Sequence, residues 1–267
     1  MSGKQARKRR QQAAAPPPVA RKGVRRRASP KVLVIAAVVP LVVAGAAVGI
    51  ALAVGGGSSS ASGTVPTRGS LTNALPDADA VQREFAGIPQ HGLVLGSPKA
   101  PLTMIEYVDL QCPGCRAFET EVLPSIVPEF VRTGKLKIEA RPLAFIGPDS
   151  IPGRKAAIAA AEQNRAFNFM QIVYANQGTE NTGWLNQSFI EHAAASVPKM
   201  DVRRLLDSQD SAAVQKTIGR INSQGDADRV SSTPSLFLGK TGSKLRPVLS
   251  GVTFDQAKLA AAIRSLG

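Results

Sequence analysis

A run of 23 residues without a charge, VLVIAAVVPLVVAGAAVGIALAV at 32–54, divides this chain into two unequal parts. As a helix it would measure about 35 Å, enough to cross a hydrocarbon core of about 30 Å with some tilt. A buried helix of a soluble domain has no need of so long an uncharged run, and a membrane span tolerates Pro40. The segment is therefore predicted to be a single transmembrane helix that is retained as an anchor. A cleaved signal peptide, whose apolar stretch usually runs 7–15 residues, is the alternative, kept open by the small residues after Val54.

Charge assigns a direction to that span. The chain carries 33 Lys and Arg against 19 Asp and Glu, and its formal net charge is +14. Eleven of the basic residues (Lys4, Arg7, Lys8, Arg9, Arg10, Arg21, Lys22, Arg25, Arg26, Arg27 and Lys31) fall in residues 1–31, which hold no acid. The remaining 22 face those 19 acids, a net of +3. The basic character belongs to a tail rather than to a domain surface, which argues against a nucleic-acid partner. Just beyond the span the only cation is Arg68. The positive-inside rule then keeps residues 1–31 in the cytoplasm and puts residues 55–267 outside the cell membrane, where disulfides persist.

Residues 55–76 are rich in Gly and Ser and read as a flexible tether. Residues 77–267 read as one folded domain. A short helix is expected from Asp77 or Asp79, with Val81, Phe85 and Ile88 on one side. Two strands follow, GLVLG and PLTMIEYVDL. A helix then runs from Cys112 to about Thr133, with Phe118, Val122, Ile126 and Phe130 as its core stripe, Pro124 and Pro128 as bends, and Gly134 as its stop. KLKIEARPLAF is a strand, and about 150–228 is a block of helices, with GRKAAIAAAEQNRAFNFMQIVYANQ read as one helical piece. SLFLG and RPVLSG are strands, and the helix TFDQAKLAAAIRSL closes the chain. The order is that of an α/β sheet core with a helical subdomain inserted into its crossover.

The chain has two cysteines, and both lie in EYVDLQCPGCRAF, with two residues between them. Cys112 follows a strand and opens a helix, where unpaired backbone N–H groups lower the pKa of a thiol. Pro113 suits the first helical position, and Gly114 leaves the sulfurs unshielded. Cys115, inside the first turn, is close enough to bridge to Cys112. That division makes Cys112 the nucleophile and Cys115 the resolving thiol. Structural zinc needs about four Cys or His ligands, and here two Cys are joined only by His91 and His192, far apart in sequence. A G-x-S-x-G nucleophile elbow is absent. Glu106, in an apolar strand six residues before Cys112, is placed to exchange a proton with Cys115 if it is buried, whereas at a sheet edge it would be a solvated acid. Pro234 opens a strand, and a cis Thr233–Pro234 bond would present backbone groups to a bound peptide.

Taken together, DLQCPGCRAFE, the acid six residues upstream, the helical insertion and TPSLFLG resemble the thioredoxin superfamily over about residues 88–267. Within it they resemble the DsbA-like branch of membrane-anchored, extracytoplasmic thiol:disulfide oxidoreductases. The resemblance implies a thioredoxin-like fold, Cys112 as nucleophile, Cys115 as resolving cysteine, Glu106 as buried proton carrier, and Thr233 and Pro234 as a substrate loop beside Pro113 and Gly114. It implies exported proteins as substrates, a membrane quinone-linked oxidase that recharges the enzyme, and no cofactor beyond the redox-active disulfide of Cys112 and Cys115. The best-known oxidising members carry histidine inside the motif, whereas Pro-Gly here removes one stabiliser of the thiolate. A disulfide reductase or isomerase, and a non-catalytic binding or chaperone module, are the alternatives.

Overall fold

The computed structural model describes residues 66–250 and 255–267. The basic tail, the 32–54 span and tether residues 55–65 lie outside the described residues. Among the described ones, no helix is long and apolar enough to cross a membrane.

The core is a six-stranded sheet whose central strand is LTMIEYV, β3 (Leu102–Val108). Its apolar and β-branched run is buried on both faces, as a central strand requires. β3 pairs in parallel with β4 (Leu136–Pro142) and antiparallel with β5 (Ser235–Lys240). The outer strand beyond β5 is β6 (Arg246–Ser250). At the other edge, the short strand expected in GLVLG is β2 (Val94–Leu95), the second arm of a tight hairpin with β1 (Gln90–His91), and β2 pairs with β4. Gly92 at φ 60° permits that turn, which a residue with a Cβ would strain.

Between β3 and β4 runs one long helical crossover, α2. It opens as Pro113–Ala117 and continues through a π-helical segment Phe118–Val122, an α-turn Leu123–Ile126 and a second π segment Val127–Val131. Pro124 and Pro128 have no N–H to donate, so neither can continue an i→i−4 ladder. The wide turns accommodate them: Leu123 N–H bonds to the Phe118 carbonyl and Arg132 N–H to the Val127 carbonyl, each five residues back. Phe118, Val122, Ile126 and Phe130 are buried, each contributing about 1.5–3 kcal/mol of apolar burial. Gly134, at φ 75°, turns the chain out of the helix.

The insertion between β4 and β5 holds α3 (Ser150–Ala161), α4 (Ala166–Ala175), α5 (Gln187–Ala195), α6 (Val202–Ser208) and α7 (Ala212–Ala227). The helix read as continuous from Gly153 breaks between α3 and α4. Asn164 sits there at φ 57°, a conformation asparagine tolerates, and its side chain accepts from Gly92 N–H at 2.8 Å. Asn186, Asp201 and Ser211 start the next three helices by accepting from backbone N–H groups of the first turn. α1 (Ala78–Phe85) buries Val81 and Phe85, with buried Ile88 just beyond, and Phe85 meets Phe167 of α4 edge to face. The chain closes with α8 (Gln256–Leu266), capped by Asp255.

The folded part starts earlier than the tether assignment to residue 76 supposed. Thr67, Gly69 and Ser70 exchange backbone hydrogen bonds with Ala195, Lys199, Met200 and Val202, and Leu75 N–H bonds to Ser196 Oγ at 2.8 Å. A Gly/Ser-rich composition signals flexibility only while the backbone lacks partners, and here the helical subdomain supplies them. A Cβ on Gly69 would run into the Val197 carbonyl oxygen. Gly69→Ala is therefore expected to lower the unfolding free energy by about 1–3 kcal/mol, measured by urea denaturation. An unchanged midpoint would mean that this strap is not bound in solution.

Candidate active site

Cys112 is the N-cap residue of α2, with extended backbone angles and Pro113 in the first helical position. Its carbonyl accepts from Arg116 N–H at 3.0 Å, so the first turn forms directly behind it. The turn that delivers it is held from several sides. Asp109 Oδ2 accepts from Phe145 N–H at 2.6 Å and Ile146 N–H at 2.9 Å, and Oδ1 accepts from Gln111 N–H. Gln177 Nε2 donates to the carbonyls of Leu110 and Cys112, and Tyr174 donates its phenolic hydrogen to the Asp109 carbonyl. Asp109, Tyr174 and Gln177 were not anticipated from the sequence, since Tyr174 and Gln177 reach the site from the insertion about 65 residues away in the chain.

The loop before β5 faces the pair. The Thr233–Pro234 peptide bond is cis, and the Cys112 thiol donates to the Thr233 carbonyl at 3.3 Å. The Thr233 hydroxyl is buried with no other partner and lies near the two sulfurs, lowering the pKa of both. A thiol can use the carbonyl as its acceptor, whereas a thiolate can use the hydroxyl as its donor. Thr233 therefore offers a partner to either protonation state of Cys112. Pro113 is exposed, and Gly114 is buried beneath the first turn.

Both cysteines are free thiols, and their surroundings differ. The Cys112 thiol is drawn down to about 6, first by hydrogen bonding with Cys115 and then by Thr233 and the N–H groups of Cys115 and Gly114, against the opposing effect of burial. Cys115 is fully buried, and burial pushes its thiol well up, with the neighbouring Cys112 adding to the rise. Its sulfur accepts from Asp109 N–H at 3.4 Å. Thus one sulfur is a thiolate near neutral pH and the other holds its proton.

Glu106 lies on β3 paired with Ala140 and Leu236 and is fully buried. Neither of its oxygens has a hydrogen-bond partner, and burial raises its carboxyl to about 8. A second acid, Glu119, is buried on α2 with Oε1 unpartnered, and its pKa is raised well up by burial and then by Glu106 and Glu84. Sequence reasoning passed over Glu119 because it follows Phe118 in the apolar stripe. Its i+4 spacing from Cys115 places the two on one helical face and was the available signal. Among the described residues, no group of three or more His, Cys, Asp or Glu is arranged to hold a metal. His192 Nδ1 lies 2.7 Å from the Ser188 carbonyl, one turn back on its own helix, and His91 lies in the β1–β2 hairpin.

A family model described as thioredoxin matches residues 89–245. Among curated proteins the chain is similar to the probable disulfide bond formation protein D of Bacillus cereus. Identity there is 26% over 169 residues, covering 62% of this chain and 75% of that one. It is also similar to disulfide bond formation protein D of Bacillus subtilis, at 24% over 167 residues, covering 61% and 72%. Among solved structures, oxidised BdbD from Bacillus subtilis superimposes with a TM-score of 0.57 at 19% identity, covering 67% of this chain and 96% of that one.

Two measurements probe this geometry. In the reduced protein, iodoacetamide should label one thiol, Cys112, with a rate that rises through a midpoint near pH 6. A midpoint near 9 would contradict the arrangement. Folded Glu106 keeps its proton up to about pH 8, whereas the unfolded side chain loses it near 4.5. The stability this contributes is complete below the lower value and is lost as pH rises through the upper one. Urea midpoints of the reduced protein should fall between pH 5 and 9, and Glu106→Gln should flatten that fall.

Proposed function

The chain belongs to the thioredoxin family, and we propose that it is a thiol:disulfide oxidoreductase that passes a disulfide between Cys112 and Cys115 to exported proteins. The observation that carries this reading is the asymmetry of the two sulfurs, one held near pKa 6 and the other buried and protonated. The names of the similar Bacillus proteins, disulfide bond formation proteins, support it.

In the oxidised enzyme a substrate thiolate attacks Cys112 Sγ. The Cys112–Cys115 bond breaks, a mixed disulfide forms, and the departing Cys115 sulfur takes a proton from Glu106. The substrate's second thiolate then attacks the sulfur of its own that is joined to Cys112. A substrate disulfide forms, and Cys112 leaves as a thiolate. Two electrons pass from the substrate to the enzyme, and the low pKa of Cys112 makes it a good leaving group. Thr233 stabilises that thiolate through its hydroxyl. Substrate backbone lies along the Thr233–Pro234 loop, beside Pro113 and Gly114. A groove of about 340 Å³, lined mainly by apolar residues such as Phe118, Val122, Leu236 and Leu259 with Asp255 and Lys258 among them, suits apolar substrate side chains.

The uncharged run at 32–54 and the eleven cations before it support a single-pass anchor with the catalytic domain outside the cell membrane. A membrane quinone-linked oxidase would then restore the disulfide. Pro-Gly between the cysteines supplies no imidazole, and the Cys112 pKa of about 6 falls between about 7 for thioredoxin and about 3.5 for DsbA. The reduction potential of the pair is accordingly expected between about −270 and −120 mV. A value at or below the lower bound favours the reductase reading.

Active-site variants test the assignment of roles. Cys115→Ser should accumulate mixed disulfides with exported proteins, visible as reducible bands on a non-reducing gel, while Cys112→Ser should capture none. The opposite pattern would reverse the two roles, and wild-type activity in both variants would remove the dithiol mechanism.

A further inference from the structure

The net charge of +3 beyond the uncharged run is unevenly spread. Three segments, GSPKAPLT at 96–103, TGKLKI at 133–138 and GKTGSKLRPV at 239–248, hold Lys99, Lys135, Lys137, Lys240, Lys244 and Arg246 and no acid. The rest of residues 55–267 has 16 basic residues against 19 acidic ones, a net of −3.

The fold gathers the three segments at one end of the sheet. Leu102, the first residue of β3, pairs with Leu136 of β4 and Lys240 of β5. Its N–H bonds to the Lys135 carbonyl at 3.2 Å, and Thr241 N–H bonds to the Pro101 carbonyl at 2.8 Å. Thr241 Oγ1 donates to the Ala100 carbonyl at 2.7 Å, and Lys137 Nζ to the Pro98 carbonyl at 3.1 Å. Lys137 is half-buried and the other five cations are exposed. Among the described residues, none of the six forms an ion pair. The acids that flank 133–138 in sequence are already held, Glu129 by Arg264 at 2.7 Å and Glu139 by Arg141 at 2.9 Å. Beside Lys135 opens a cavity of about 340 Å³ lined by Pro101, Leu102, Phe130, Ile263 and Gly267, with Lys135 and Arg264 among them. β3 is seven residues long, so about 20 Å of strand separates this end from the turn that carries Cys112.

We propose that this end of the domain docks on an anionic phospholipid surface. The lysines meet headgroup phosphates, and the cavity takes the glycerol and first methylenes of a lipid beside Lys135. Each Lys or Arg close to an anionic leaflet strengthens binding about fivefold, so six gathered at one end suffice for reversible docking. The choice of lipid over a soluble polyanion rests on the single-pass anchor proposed above. Residues 55–65 span at most about 40 Å, which keeps a bilayer within reach of the domain. The apolar floor of the cavity, with Leu102, Phe130 and Ile263 buried, also matches a lipid rather than a sugar–phosphate chain. Docked by this end, the domain turns Cys112 away from the lipid and toward exported chains. Recharging by a membrane oxidase then requires this end to let go.

The test places the full chain in lipid nanodiscs, of phosphatidylcholine alone or mixed with phosphatidylglycerol, and follows amide hydrogen exchange. Exchange at 97–100, 133–135 and 240–244 should slow in the anionic discs, stay fast in the neutral ones, and recover at high salt. The combined variant Lys99→Gln, Lys135→Gln, Lys240→Gln and Lys244→Gln removes four charges, which weakens docking by on the order of 10²-fold or more. It should lose the protection while keeping the Cys112 titration and its disulfide exchange with a soluble reduced protein. Equal exchange in the two discs overturns the docking surface, and the exchange assay then still reports on the redox reading by itself. The same protection from double-stranded DNA added to neutral discs overturns the lipid assignment in favour of polyanions at large. A chain that stays outside neutral discs yet is protected by anionic ones removes the anchor and upholds the surface.

Discussion

Two sulfurs of the same intrinsic chemistry sit three residues apart, and the fold gives them opposite surroundings. A strand ending at Val108 and a helix starting at Pro113 leave Cys112 at a helix N-terminus, where first-turn backbone N–H groups face its side chain. One turn on, Cys115 lies under the packed first turn and touches the Asp109 amide. A distance of one helical turn thus separates a site that favours charge from a site that rejects it. The rest of the domain holds this contrast. Asp109 ties the turn to the segment entering the insertion, Gln177 fixes its carbonyls from α4's end, and the Thr233 loop closes the remaining side.

The insertion is therefore part of the site's construction as well as its cover. Gln111 bonds to Ser150 and Asn181, and Tyr174 and Gln177 reach the turn from the same subdomain. The 67–75 strap grips that subdomain on its far side through Met200 and Ser196. Sheet and helical cap are joined by polar contacts whose geometry is defined at both ends, a specificity that apolar packing alone does not supply.

The site was legible where chemistry and local structure coincide. Two cysteines at a strand-to-helix junction announce themselves, and so does an acid in the apolar strand before them. The sheet core was legible for the same reason, since LTMIEYV and SLFLG are strongly patterned. What escaped were features set by distant partners. The strap looked like a linker because its hydrogen bonds go to residues more than a hundred positions away. The break at Asn164 depends on a hairpin turn at Gly92, and the two wide turns of α2 on where its prolines fall in a packed helix. Glu119 escaped because its i+4 spacing from Cys115 shows only that the two share a helical face, not whether that face is dry.

The register of β3 has an electrical consequence. Glu106 and Tyr107 are neighbours in sequence, yet a strand sends them to opposite faces. Tyr107 stands on the side where Arg141 lies over its ring and bonds its hydroxyl, with Asp228 completing the clasp. Glu106 stands on the side of the unpartnered carboxyls. The guanidinium that would most readily strip protons from those acids is thus walled off by the sheet itself, and burial raises the Glu106 carboxyl to about 8. The pleat works as an insulator: one residue of alternation keeps a fixed positive charge away from carboxyls whose pKa burial raises.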